Sequence, residues 1–363
     1  MKHVTVYREP GRYAGWPANY GIWSWGDEIV VGFTVGYMSR EGGGFHPRDT
    51  SRPFTAMQAR SLDGGETWSV APTPCRPPGG VALSAAEHSE VGRRTKPLGP
   101  GDFETNEGGI LFTHPDFALM CARTGLSAGS QSWFYTSIDR CRSWQGPFAL
   151  SDYGTLGVAA RTDYIVWGPE ECTLFLTCAK SDGREGRVFC ARTTNGGRSF
   201  PFQAWIGPEP SGFAIMPASV RLADDTVLVA VRCRERGETR ESERNWIDAY
   251  ISEDRGNSWV YLGRPVPDTG RGGNPPALTL LRDGRLCMTY GYRDRPSGIR
   301  AVLSADGGRT WGPEINLRAD GGDHDIGYPR TVQRADGKLV TVYYYNDHPA
   351  GERYIAATVW EAP

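Results

Sequence analysis

No stretch of this 363-residue chain approaches the roughly 20 apolar residues of a membrane-spanning helix, and residues 1–7 lack the apolar core of a secretion signal. A cytoplasmic protein without a membrane partner is expected. Net charge is nearly absent as well: 40 basic and 42 acidic residues leave −2 at pH 7, so no global field draws in nucleic acid. Any affinity for anions must come from a local cluster. Eight cysteines are present without a CxxC pair, which argues against a zinc site and favours buried free thiols over a disulfide framework. No cofactor or metal is expected. Ser/Gly-rich and charged linkers are missing too, so residues 1–363 read as a single domain.

What the chain does hold is turn formers and aromatics: 47 Gly, 12 Trp and 16 Tyr suit an all-β protein of many short strands. One pattern recurs five times. It reads Ser61-Leu-Asp63-Gly-Gly65-Glu-Thr67-Trp68, and returns around Asp139, Asn195, Asp254 and Asp306, each time closing on Trp or Phe. The steps between these positions are 76, 56, 59 and 52 residues, close to one four-stranded propeller blade with its loops. In each copy the Asp or Asn accepts bonds from turn amides and the aromatic plugs the turn onto the sheet, and in four of the five Gly supplies a positive φ, Cys141 standing there in the second. These are hairpin staples rather than ligand or calcium sites.

The repeats predict a six-bladed β-propeller of four-stranded antiparallel blades, with each staple between a third and a fourth strand. Inner strands are expected to open at Trp16-Pro17, Arg161-Thr162, Met216-Pro217, Asn274-Pro275 and Tyr328-Pro329, with blade two placed around Glu104 to Glu107. The last blade lacks a staple, and residues 3–7 are expected to supply its outer strand, leaving no free edge at the seam.

Strand alternation then puts first-strand starts and second-strand ends on one face and the staples on the other. Second-strand ends deliver Arg40, Arg123, Lys180, Arg232 with Arg234, Arg293 with Arg295, and His348 to that face. Such a ring of cations reads as a pocket for an anionic or polyhydroxylated ligand, because planar guanidinium groups bind carboxylates in a bidentate manner. Trp16, Trp23 and Trp25 are assigned to core packing rather than sugar stacking.

On these staples the chain resembles the sialidase superfamily, the Asp-box or BNR-repeat six-bladed propellers, over essentially its whole length. The resemblance implies an arginine cluster around a substrate carboxylate, a tyrosine nucleophile assisted by a glutamate, and an aspartate acid/base. Gly327-Tyr328-Pro329 matches the nucleophile segment, Arg232 matches the fourth-blade arginine, and either Arg293 or Arg300 matches the fifth. Asp49, in the Phe45-His-Pro-Arg-Asp49-Thr-Ser-Arg52 loop, falls where the acid/base belongs. Two positions depart: Gly15-Trp16-Pro17 lacks the first-blade arginine, and Met216 stands near the assisting glutamate. Arg161 is a substitute for the arginine, and Asp325 or Glu107 for the carboxylate. His46, His324 and His348 are rim residues able to carry protons near neutral pH. Arg123, Arg52 and His46 complete the expected substrate-binding set.

Three functions fit this reading: an exo-acting glycoside hydrolase on a sialic acid or related acidic sugar, a non-catalytic carbohydrate-binding propeller, or a lyase directed at a uronate.

Overall fold

The computed structural model describes residues 1–39, 44–80, 83–90, 96–237 and 242–363, so Arg40 lies outside the described residues. Its strands form six antiparallel sheets arranged as a six-bladed β-propeller. The second strand of each blade is sandwiched by neighbouring blades on both faces, and the sequence shows it. Glu28–Tyr37, Ala118–Arg123 and Leu339–Tyr345 are nearly continuous apolar runs and are buried almost throughout. The core accordingly lies between blades. Ile29, Val31 and Phe33 of blade one pack with Val340, Val342 and Ile355 of blade six, and Phe175 and Val188 of blade three pack with Val227 and Val229 of blade four.

The ring closes through its own N-terminus. Lys2–Tyr7 pairs antiparallel with Tyr354–Trp360, with Lys2 opposite Val359 and Val4 opposite Ala357. The last blade thereby gains its outer strand, and the sheet edge at the seam is covered.

The five turns share the Asp or Asn and Ser or Thr bonds, and three of them add a bond from the closing tryptophan. In the first, Asp63 Oδ1 accepts from Thr67 N at 2.9 Å, Ser61 Oγ accepts from Gly65 N at 2.7 Å, and Trp68 Nε1 donates to Gly65 O at 3.0 Å. Gly64 O and Glu66 accept from Arg334, which opens the turn between the first two strands of blade six. That turn lies at the opposite end of its strand from Tyr328, so the staples sit on the face away from the mouth.

Blade two departs from expectation. Residues around Glu104 to Glu107 form no strand, and three strands, Ala118–Arg123, Ser132–Ser137 and Gln145–Ala149, pair in this blade. The reason is apolar: Ile110 and Phe112 are drawn into the blade-three core beside Phe200, where Ile110 N donates to Gly196 O and Phe112 N to Pro169 O, both at 2.8 Å. The inward edge of Ala118–Arg123 is met by side chains instead. Cys121 N donates to Thr162 Oγ1 at 3.0 Å and Leu119 N to Tyr164 Oη at 3.4 Å. All eight cysteines are free, and seven are buried.

Three inner strands bend where they reach the mouth. Trp16, Met216 and Tyr328 have φ of 59°, 54° and 50°, each just before a proline, and the ladders shift register at Ile215/Ala218 and Gly327/Arg330. A bulky residue held in the left-handed region costs on the order of 1–2 kcal/mol. The bends bring Met216 and Tyr328 together, whereas Trp16 packs into the core between blades one and six and stacks on His88.

Candidate active site

Tyr328, Arg232, Arg293 and His46 line one cavity of about 360 Å³ at the mouth. Tyr328 starts the inner strand of blade six, Arg232 and Arg293 end the second strands of blades four and five, and His46 comes from the loop after the second strand of blade one. Four blades thus contribute, in the geometry that strand alternation dictates.

Arg232 Nη1 donates to Tyr328 Oη at 3.0 Å and lies 3.7 Å from Met216 Sδ, while Nη2 donates to Gly272 O. Its buried Nε has no hydrogen-bond partner among the described residues. Arg293 is anchored by all three nitrogens, to Ile326 O at 3.0 Å, Gly273 O at 2.9 Å and Tyr344 Oη at 2.6 Å. It therefore acts on the cavity chiefly through its charge. Burial alone would raise the Tyr328 phenol, but Arg232, Arg293 and Arg161 outweigh it and hold the phenol below its usual value. The arrangement stabilises a phenolate.

Asp325 lies behind His46 and is fully buried. Its oxygens accept from His46 Nδ1 at 2.6 Å, Tyr344 Oη at 2.8 Å, and Tyr13 Oη and Arg353 Nε at 2.9 Å. Burial opposes its ionisation, yet His46, Arg353 and Arg293 hold the carboxyl below the ordinary carboxylate range. Asp325 is a fixed anion that organises the site from beneath, not a carboxylate beside the Tyr328 hydroxyl.

Other expected residues lie elsewhere. The Asp49 carboxylate closes an Asx turn on its own loop, accepting from Ser51 N at 3.0 Å and Ser51 Oγ at 2.6 Å. Glu107 sits on the staple face, where its carbonyl accepts from Arg198 Nε at 3.0 Å. Arg300, on a third strand, pairs with Glu314 at 2.7 Å and covers the Tyr292 ring, which leaves Arg293 as the fifth-blade arginine of the mouth. Arg52 stacks on Tyr37. Arg161 and Arg123 are buried and do not line the cavity. Arg161 donates to Asn19 Oδ1 at 3.2 Å and pairs with Glu185 at 2.7 Å, and Arg123 donates to Ala160 O at 3.1 Å. His324 lies against the Phe45 carbonyl, and His348 Nδ1 accepts from Ala350 N.

Arg234, Arg271, Glu243 and Phe45 also line the cavity; Arg234 was expected on this face as a second-strand-end cation, whereas the other three were not singled out from sequence. Arg234 stands two residues after Arg232 and so shares its face of the strand. Burial first, then Arg232, pulls the Arg234 guanidinium down to about 10, a measure of how little negative charge offsets this cluster. Glu243, paired with Arg234 at 3.5 Å, is the acid that partly offsets it. No cluster of three or more His, Cys, Asp or Glu able to hold a metal occurs among the described residues.

The fold is that of a six-bladed β-propeller, here with a tyrosine and arginines at its mouth, and solved sialidases and an arabinanase share that fold. No protein-family model matches the chain, and no match was found among curated proteins. Solved structures do match. A Dyadobacter fermentans protein described as of unknown function is 20% identical over 100% of this chain and 98% of its own, with a TM-score of 0.72. The alpha-L-arabinanase of Penicillium chrysogenum, complexed with arabinobiose, is 12% identical over 99% of this chain and 98% of its own, at 0.63. The Trypanosoma rangeli sialidase in complex with sialic acid is 13% identical over 94% of this chain and 53% of its own, at 0.56.

Proposed function

We propose that the protein is an exo-acting glycoside hydrolase for an acidic sugar, a sialic acid or a close analogue, with Tyr328 as nucleophile. The observation that carries this reading is the Tyr328 hydroxyl, 3.0 Å from Arg232 in a cavity whose charge is dominated by arginine. Guanidinium groups hold the sugar carboxylate and lower the phenol, and the phenolate oxygen attacks the anomeric carbon. A cavity of about 360 Å³ is at the small end for ligand pockets and suits one terminal sugar residue rather than a chain threaded through. That sialidases and an arabinanase share this fold agrees with a sugar ligand.

Met216 favours a second reading. A thioether stands where a glutamate would assist the tyrosine, so no carboxylate at that position takes the phenol proton. A lyase needs none there: the phenolate removes the proton next to a uronate carboxylate that the arginines neutralise. Release of 4-methylumbelliferone from acidic-sugar glycosides, run beside an unsaturated-uronate absorbance assay, separates the two. Under the hydrolase reading Tyr328→Phe abolishes fluorophore release while a sialic acid still binds, and wild-type turnover by that variant refutes it. Binding without turnover by the native chain would instead identify a carbohydrate-binding propeller.

A further inference from the structure

The 45–52 loop was expected to offer an aspartate, yet it turns a histidine to the cavity. With Asp49 closed on Ser51, His46 is the titratable side chain that this loop gives to the pocket, beside Phe45 and facing the cavity shared with Tyr328, Arg232 and Arg293. We propose that His46, positioned by Asp325, is the acid–base residue of the pocket; this rests on the hydrolase reading and names its proton carrier.

The tautomer follows from the partners. Asp325 is an ionised acceptor already receiving Arg353 Nε at 2.9 Å, so the 2.6 Å contact requires the proton on His46 Nδ1. Nε2 then carries the lone pair, and it has no hydrogen-bond partner among the described residues. The ring is held edge-on by Trp16 and Phe45, with centroids at 5.4 and 4.9 Å, and its side chain remains 19% exposed, on the cavity side. Tyr13 Oη, at 3.2 Å, also faces Nδ1. Arg293, Arg48 and His88 are the other charged or titratable groups around the ring, with His324 beyond Phe45. Burial lowers the basicity of the imidazole below its usual 6.5, and the opposing pull of Asp325 does not restore it. A neutral base therefore faces the pocket at pH 7.

The proton account closes on this one nitrogen. Arg232 donates to the Tyr328 oxygen, which leaves the phenol proton free to pass to His46 Nε2 as the phenolate bonds to the anomeric carbon. The glycosidic C–O bond breaks, and the departing oxygen takes the proton from Nε2. Water then adds to the anomeric carbon and gives a proton to Nε2, the bond to Tyr328 breaks, and Nε2 returns the proton to the phenolate. One glycoside and one water become a sugar and an alcohol, and the transient imidazolium faces the Asp325 carboxylate.

The test compares wild type with His46→Ala on two probes, the 4-methylumbelliferyl glycoside of N-acetylneuraminic acid and sialyl-lactose. An acid catalyst matters most for the poor leaving group. Loss of about 10²- to 10⁴-fold in kcat on sialyl-lactose, with a much smaller loss on the aryl glycoside and partial rescue by added imidazole, supports the role. No loss on sialyl-lactose, or a larger loss on the aryl glycoside than on sialyl-lactose, overturns it. A second measurement does not depend on turnover: nitrogen-15 histidine spectra of the wild-type chain should show His46 with Nδ1–H and a bare Nε2 whose signal moves on adding N-acetylneuraminic acid. An Nε2–H tautomer at neutral pH, or a signal that ignores the sugar, overturns the inference. Should wild type turn over neither probe, the hydrolase reading fails by itself, and the spectra still decide the place of His46 in the site.

Discussion

Replacing Asp325 by asparagine changes almost no volume and one unit of charge, in a place where the charge is fully enclosed. Four donors converge on the two carboxylate oxygens: His46 Nδ1, Tyr344 Oη, Tyr13 Oη and Arg353 Nε. An amide offers one acceptor and turns the other position into a donor. Set against Arg353, the amide nitrogen would meet an N–H that cannot be rotated away. Set against His46, it meets a ring that can exchange its proton for a lone pair. The second arrangement costs less, so the variant should carry His46 as the Nε2–H tautomer. The lost charge remains. Removing one partner of a buried ion pair costs about 3–5 kcal/mol, and Asp323, still 2.7 Å from Arg353 Nη2, places the expected loss near the lower figure, about 3 kcal/mol. Against a typical total of about 5–15 kcal/mol, that is measurable without preventing folding. Urea denaturation at pH 7 should show a lower midpoint at unchanged slope. The pH dependence has a definite sign. The Asp325 pKa is depressed on folding from 3.8, so its contribution is present above that value and is lost as pH falls through the folded one. Wild type and variant should therefore differ by a constant amount near neutrality and converge in acid. A loss under about 1 kcal/mol at pH 7, or a gap that does not narrow in acid, would show that the Arg353 charge is not held by this carboxylate.

Deleting residues 1–7 exposes the edge of Tyr354–Trp360, so the shortened chain should melt lower and aggregate in a concentration-dependent way, as light scattering during a melt would show. Asp63→Ala removes the acceptor of Thr67 N and Glu66 N on the face away from the mouth. Its melting temperature should drop while sugar affinity of the folded protein stays unchanged; a changed affinity refutes the two-face assignment. Burial raises Asp163 to about 7 against Arg330 and Ser219, so wild type should lose stability relative to Asp163→Asn as pH climbs from 3.8 to about 7, and a flat difference across that window refutes the assignment.

The fold was legible because its signals are local and repeated. A turn that needs an acceptor, a positive φ and an aromatic plug within eight residues announces itself five times, and the buried second strands read as apolar runs. Where the fold was misread, at Glu104 to Glu107, the decisive contacts lie about 90 residues away, at Gly196, and no periodicity in that segment signals them. The site divides in the same way. Tyr328, Arg232 and Arg293 follow from strand parity, because a strand end fixes which face a side chain takes. Asp49 and His46 belong to a loop, where no parity operates and a single Asx turn decides which residue faces outward. Parity likewise says nothing of Arg300, whose third strand directs it to Glu314.

The two apparent gaps in the site are chemically coupled. Against the residues that the sialidase resemblance implies, Gly15-Trp16 lacks one cation and Met216 one anion, so the two departures together leave the charge balance of the mouth unchanged. Its distribution is not. A carboxylate at position 216 would offset Arg232 and weaken that arginine's hold on the phenol. With Met216 Sδ as a weak neighbour at 3.7 Å, the Arg232 charge is met among the described residues by Gly272 O and the Tyr328 oxygen, and together with Arg293 and Arg161 it holds the phenol below its usual value against the opposing effect of burial. Trp16 in turn stacks on His88 at 3.9 Å and stands edge-on to His46, so the indole in place of the missing arginine helps fix the ring that carries the proton. The acidity of the tyrosine and the placement of the histidine thus depend on Met216 and Trp16, the two positions that depart from the resemblance.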